Sequence, residues 1–129
     1  MTGSLPPTAS VLRSYRSSRY SAGPVTVRIG RRPAGLPRSW RGLDLALLSA
    51  ANPGGRRRPD GWNERMMARL SETMRRIPHC RGEGRLGRWS EPLLLAAIGQ
   101  RRAAVLARRF RQNAIVRVRA GRDAVLVLL

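Results

Sequence analysis

Leu45-Ala46-Leu47-Leu48-Ser49-Ala50-Ala51-Asn52-Pro53-Gly54-Gly55 is echoed later in the chain by Leu93-Leu94-Leu95-Ala96-Ala97-Ile98-Gly99. Each is a short continuous apolar run closed by turn-forming residues, the pattern of a strand covered on both faces. Each is followed by a helical pattern with one apolar stripe, and then by a further strand pattern. After the first run, Pro59-Asp60 opens a helix with Asp60 as its N-cap and Met66, Met67, Leu70, Met74 and Ile77 on the inward stripe. Pro78 stops it, and His79 to Leu86 suits an edge strand whose charges discourage pairing. After the second run, Gln100 to Gln112 carries Ala103, Leu106, Ala107 and Phe110 at helical spacing, with Asn113 suited to a left-handed C-cap. Ile115 to Arg119 and Ala124 to Leu129 then flank a glycine-containing turn and predict a hairpin.

Strand-helix-strand twice in succession predicts an α+β fold: a ferredoxin-like split βαβ core with two helices on one face of a mostly antiparallel sheet. Extra elements flank it. Val25, Val27 and Ile29 alternate with Thr26 and Arg28 as a half-buried strand, and Val11, Leu12 and Tyr15 fall at helical spacing. Residues 1–10, with Pro6-Pro7 and small polar neighbours, are expected to form a flexible lead, and 11–129 a single domain.

The chain has 129 residues and a formal net charge of +19, and all 26 of its basic residues are arginine. At this length folding buries roughly 65–70 % of the chain's surface, enough for a core. With 42 % hydrophobic residues, a purely disordered basic tail is excluded. No apolar run approaches the ~18 residues of a membrane span, so no membrane association is expected. The single Cys80 allows no internal disulfide, and with no apolar leader segment a cytoplasmic location is expected.

The net charge suits nucleic acid or another polyanion, yet the arginines run from Arg13 to Arg122 without gathering in one tract. Codon bias toward G and C, which exchanges lysine for arginine, accounts for the same composition. Three groups of residues stand out. The loop Asn52, Gly54, Gly55, Arg56, Arg57 and Arg58, with Asn63 one turn into the helix, offers free amides, close backbone approach and charge for an anion. It lacks the Gly-Lys-Ser/Thr ending of a P-loop, and turn-capping roles for Asn52 and Asn63 account for them equally. The second group is Glu91 with Arg109, Gln112 and Asn113, a carboxylate beside two amides suited to binding a polar ligand or acting as acid or base. Connectivity places it at the end of the sheet opposite Asn52, so that the two groups form separate sites. The third is Arg28, Arg117 and Arg119, which share a sheet face on which electrostatic binding is feasible but no strand aromatic offers a base-stacking platform.

Adjacent His79 and Cys80 point to opposite faces of a strand, so neither a metal site nor Cys-His catalysis is expected, and no cofactor is implied.

The set Tyr15…Tyr20, Val27-Arg28-Ile29-Gly30, Ser49-Ala50-Ala51-Asn52-Pro53, Trp62-Asn63-Glu64-Arg65, Trp89-Ser90-Glu91-Pro92 and Arg108-Arg109-Phe110-Arg111-Gln112-Asn113-Ala114-Ile115-Val116 resembles the bacterial domain-of-unknown-function 3293 family. The resemblance extends from about Tyr15 to Leu129. The family pattern has an aromatic residue before Asn-Pro and a glycine before Gln-Asn, where this chain carries Ala51 and Arg111. It implies the domain's extent and no activity. Three functional readings follow: a basic module binding nucleic acid or another polyanion, placed first on charge alone; a small-ligand or enzymatic domain built on Asn52/Asn63 or Glu91/Gln112/Asn113; and an interaction protein pairing through an exposed strand, with oligomeric state left open.

Overall fold

The computed structural model describes residues 8–129; most of the expected flexible lead lies outside them. Helix α1 (Ala9–Ser17) is capped by Thr8, whose hydroxyl accepts the Val11 N–H at 3.2 Å. Strands β1 (Arg19–Ala22) and β2 (Val25–Val27) form a hairpin, and β3 (Leu45–Leu48) follows a long loop. Then come α2 (Asp60–Thr73), β4 (His79–Leu86), β5 (Trp89–Ala96), α3 (Gln100–Arg109), β6 (Ala114–Val118) and β7 (Val125–Leu128).

Among the described residues the fold is α+β, with three α-helices and one seven-stranded sheet in the order β2-β1-β4-β5-β3-β6-β7. Every strand pair in it is antiparallel. The sheet curls into a half-barrel. An isolated parallel bridge between Ile29 and Ala124 draws its two edges together, the Gly30 N–H donating to the Ala124 carbonyl at 2.9 Å and the Ala124 N–H to that of Arg31 at 2.8 Å.

Strand alternation divides the core in two. Ala46, Leu48, Leu94, Ala96 and Ile115 pack against Met67, Leu70 and Met74 on α2 and its end, and against Ala103, Ala104 and Ala107 of α3. Both of these helices therefore cover the same, convex side. Leu45, Leu47, Leu93, Leu95, Val116 and Val118 point the other way, into the half-barrel, where they meet Tyr20, Ala22, Val25 and Val27 of the first hairpin. Small alanines let α3 lie close to the sheet, and the curl gives the concave face an apolar filling without a second helical layer.

Several local expectations change. Strand β1, from Arg19 to Ala22, carries only four residues and no pattern long enough to register in the sequence. Strand β4 is interior, paired with both β1 and β5, because Gly82 and Gly84 let β1 approach. A Cβ on Gly82 would lie 2.0 Å from the Ser21 carbonyl oxygen, and one on Gly84 would lie 3.1 Å from the Tyr20 ring. Helix α2 takes Pro59 as its N-cap and ends at Thr73, so Asp60 occupies its first turn. The left-handed residue after α3 is Arg111 (φ 56) and not Asn113. That leaves Gln112 and Asn113 free to turn toward the barrel mouth.

Candidate functional site

Strand β5 alternates Trp89, Glu91, Leu93, Leu95 on one side with Ser90, Pro92, Leu94, Ala96 on the other, and Leu93 and Leu95 lie in the concave core. Glu91 thus sits on the concave face, at the end of the half-barrel where β5 begins. Opposite it on β4 is Gly84, which presents no side chain. The room left there is a cavity of about 280 Å³, just below the ~300–1,000 Å³ of small-molecule pockets. Leu47, Leu93 and Val116 line its inner part; Val11, Ser14 and Tyr15 of α1 lie over it. Ser49, Asn52, Gln112, Asn113, Tyr20 and Trp89 supply polar and aromatic wall.

Asn52 and Glu91/Gln112/Asn113 therefore belong to one cavity, which corrects the expectation that they lie at opposite ends of the sheet. Strands β3 and β5 are antiparallel, with Leu48 opposite Leu94, so β3 ends where β5 starts. Helix α3 then carries the chain back along β5 to that same end. The crossing is held by the Gln112 side-chain amide, donating to the Ala51 carbonyl at 3.0 Å, and by the Gly54 N–H, donating to the Arg111 carbonyl at 2.8 Å.

Asn52 and Asn63 are both buried and bond each other: the Asn63 amide donates to Asn52 Oδ1 at 2.9 Å, and the Asn52 N–H donates to Asn63 Oδ1 at 3.0 Å. Asn52 Oδ1 also accepts the Arg58 N–H at 2.9 Å. The pair fixes the left-handed conformation of Asn52 (φ 45) and the path of the loop after it. Ser49 donates its hydroxyl to the Pro92 carbonyl at 2.7 Å and accepts the Ala51 N–H at 3.0 Å, tying β3 to β5 beside the cavity.

Burial pushes the Glu91 carboxyl up to about 7, against a hydrogen bond from the Asn52 side chain that favours the ionised form. Burial also raises the Tyr15 hydroxyl, countered by a hydrogen bond from Asn113, with the nearby Glu91 charge adding to the rise. The Tyr20 hydroxyl is raised chiefly by burial and donates to the Tyr15 carbonyl at 3.0 Å, linking β1 to α1 over the mouth. A carboxyl poised near neutrality beside a tyrosine can hold or exchange a proton with a bound molecule.

The remaining candidates lie outside. Arg109 is exposed on α3 and does not line the cavity. In the loop, the Gly54 and Gly55 amides donate to Arg111 and Asn52 carbonyls and the Arg56 amide to that of Pro53, so little of the expected amide cradle is free. Arg56 is exposed, Arg57 stacks over Trp89 at 5.9 Å and Arg58 over Trp62 at 5.3 Å. Arg117 bonds Gln100 on the helical side, and Arg119 pairs with Asp44. Arg28 follows β2 at the far edge of the sheet. The concave face that an open-faced binder would use is filled by apolar side chains. His79 bridges Ser71 and the Ile77 carbonyl, and burial raises the Cys80 thiol. Among the described residues no group of three or more His, Cys, Asp or Glu comes together.

Tyr15, Tyr20, Ser49 and Trp89 were not singled out as site residues. The available signal was the Gly82/Gly84 spacing of two inside a strand pattern, which marks a close backbone approach and an aromatic neighbour.

The model of the family described as Protein of unknown function (DUF3293) matches residues 48–115, just over half of the chain. The chain belongs to the DUF3293 family. The matched stretch is narrower than the resemblance from Tyr15 to Leu129, and it contains Ser49, Asn52, Asn63, Glu91, Gln112 and Asn113 while leaving Tyr15 and Tyr20 before it. Arg111 takes the left-handed conformation that glycine adopts without strain, in keeping with the glycine that the resemblance implies there. No curated protein and no solved structure matches the chain. No helix among the described residues is long and apolar enough to cross a membrane.

Proposed function

We propose that this DUF3293 domain binds a small amphiphilic molecule in the cavity at the mouth of its half-barrel, with Glu91 as the group that exchanges a hydrogen bond or proton with it. The observation that carries this is the lining: in a chain with a net charge of +19, no arginine reaches the cavity, and Glu91 is its one charged side chain among the described residues. An apolar floor with a few convergent polar groups and a perturbed carboxyl is the usual character of a ligand or active site. The strand order β4-β5-β3-β6, with α2 and α3 on one side, supports reading the centre of the fold as a ferredoxin-like split βαβ unit. On that reading the first hairpin and α1 are the additions that turn an open sheet face into a pocket.

Binding of nucleic acid or another polyanion, the reading placed first on charge, has less support. The three arginines assigned to a sheet face are dispersed, two of them paired, and the amides of the Asn52 loop are largely spent.

The test is a fragment screen by two-dimensional NMR on the full chain, alongside Ser14→Trp, which adds a ring at the cavity lining from α1, where Ser14 is half-buried and no residue is fully buried. Fragments should shift Tyr15, Glu91 and Asn113 resonances in the parent protein and not in the variant. Shifts that persist unchanged in Ser14→Trp would place binding elsewhere and overturn the proposal.

A further inference from the structure

The charge in the cavity is one-sided: Glu91 is the one charged side chain among the residues that line it. Gln112 Nε2 donates to the Ala51 and Phe110 carbonyls, so Oε1 is the open end of that side chain. The Ser49 hydroxyl proton is committed to Pro92. Tyr15, Asn52, Asn113 and Trp89 add neutral polar groups to the lining, so the Glu91 carboxylate is the one strong, charged acceptor among the residues that line it. Around them stand the rings of Tyr15, Tyr20 and Trp89, whose faces attract cations. An anion would find no arginine to meet it. A neutral acceptor would find the Tyr15 hydroxyl and the Asn113 amide but no charge.

From this geometry we infer that the cavity takes an organic ammonium on an apolar body, its N–H groups donating to Glu91 and its hydrocarbon resting against Leu47, Leu93 and Val116. The inference rests on the proposed small-molecule site and names its ligand class. The net positive charge of the chain opposes entry of a cation, so the ionised Glu91 is required to hold it.

The groups facing Glu91 are Tyr15 from α1 and Tyr20 from β1; β4 offers only Gly84, and Asn52, Gln112 and Asn113 are uncharged. Arg57, Arg58, Arg88, Asp60 and Glu64 line the groove beyond Trp89. Binding of an ammonium therefore strengthens as Glu91 ionises around neutral pH, and below that point binding expels its proton.

Three probes of similar shape decide the matter: 2-phenylethylamine, 2-phenylethanol and 3-phenylpropanoate, titrated into the full chain by NMR at about pH 6 and about pH 8. The amine should bind about tenfold more tightly than the alcohol at the higher pH, and the margin should shrink at the lower one. Glu91→Gln should bring the amine down to the alcohol's affinity at both. Equal or tighter binding of alcohol or carboxylate at the same resonances overturns the ammonium inference and leaves the cavity as a ligand site. Absence of any shift at Tyr15, Glu91 and Asn113 with all three probes at millimolar concentration removes both.

Discussion

Two hollows meet at a wall made by Asn52, Trp89 and Pro92. On one side is the barrel-mouth cavity, with Glu91 alone for charge. On the other is an open groove of about 370 Å³ lined by Arg57, Arg58, Arg88, Asp60 and Glu64. The difference arises from the elements that build them. The cavity is walled largely by strands, whose concave positions are apolar, aromatic or glycine because they face a core. The groove is walled by a loop, a turn and the first turns of α2, where nothing excludes the arginines that fill the rest of the surface. In a chain this basic, the place that lacks arginine is more informative than the places that have it.

The largest expected effect tests the shared wall. Removing the Asn63 side chain by Asn63→Ala leaves the buried Asn52 N–H without its acceptor and removes the donor to Asn52 Oδ1. Unsatisfied buried groups of this kind cost about 1–3 kcal/mol each, and the loop path depends on them, so a loss of about 2–3 kcal/mol is expected from urea denaturation. A loss within the noise of a surface substitution would mean that the wall stands without the asparagine pair, and that the two hollows are separated by backbone alone.

The next prediction concerns the cavity's charge. Glu91 has its folded-state pKa raised to about 7, above the ordinary carboxyl value of the unfolded chain. Between those two values the folded protein keeps a proton that the unfolded chain releases. Stability contributed by Glu91 is therefore fully present below the unfolded value and declines as pH rises toward 7, levelling off above it. Glu91→Gln should lack this decline. Relative to the parent it should gain about 2 kcal/mol between acid and mildly alkaline pH, measured as the pH dependence of the urea midpoint. Parallel profiles for the two proteins would show that Glu91 is as well hydrated as the groove residues, and the contrast between the hollows would fail.

Gly84→Ala sharpens the comparison at the cavity's side. The added methyl would lie 3.1 Å from two atoms of the Tyr20 ring, so the ring must shift toward the cavity or the strand must move. Overpacking of this sort costs about 1–3 kcal/mol, and the lower half of that range is expected because the cavity gives the ring somewhere to go. Fragment binding should fall with it. Unchanged binding would mean that Tyr20 does not border the occupied volume.

Much of this was legible in the residues. The echo of Leu45–Ala51 in Leu93–Ile98 announces two buried strands, and the stripes of α2 and α3 place both helices on one side of the sheet. The contact between Asn52 and Asn63 follows from a turn residue just before a helix and an asparagine one turn into it. The nearness of Glu91 to Asn52 follows from β3 and β5 being antiparallel, which a split βαβ arrangement with an antiparallel sheet already implies; placing the two groups at opposite ends did not follow from it. What escaped was the curl: β1 is four residues long, and its docking depends on glycines in β4, whose missing side chains leave no apolar periodicity. Charge located no site, because a count of arginines carries no information about which of them face inward.

The smallest effect belongs to the groove, and it bears most directly on whether the hollows act together. Arg57 stacks its guanidinium over the Trp89 ring at 5.9 Å, and both side chains are exposed. A cation–π contact in water contributes about 0.5 kcal/mol, so Arg57→Ala should lower stability by about that amount, within reach of a careful comparison of urea midpoints. Its consequence for ligand binding is the sharper measurement. If Trp89 serves the cavity through the part of the ring that lines it, the guanidinium outside is a passive neighbour, and fragment affinity at Tyr15, Glu91 and Asn113 stays unchanged. A severalfold change in either direction would mean that the charge over Trp89 is felt within. The wall would then be a boundary in shape only, and the arginine groove and the arginine-free cavity would be two parts of one site.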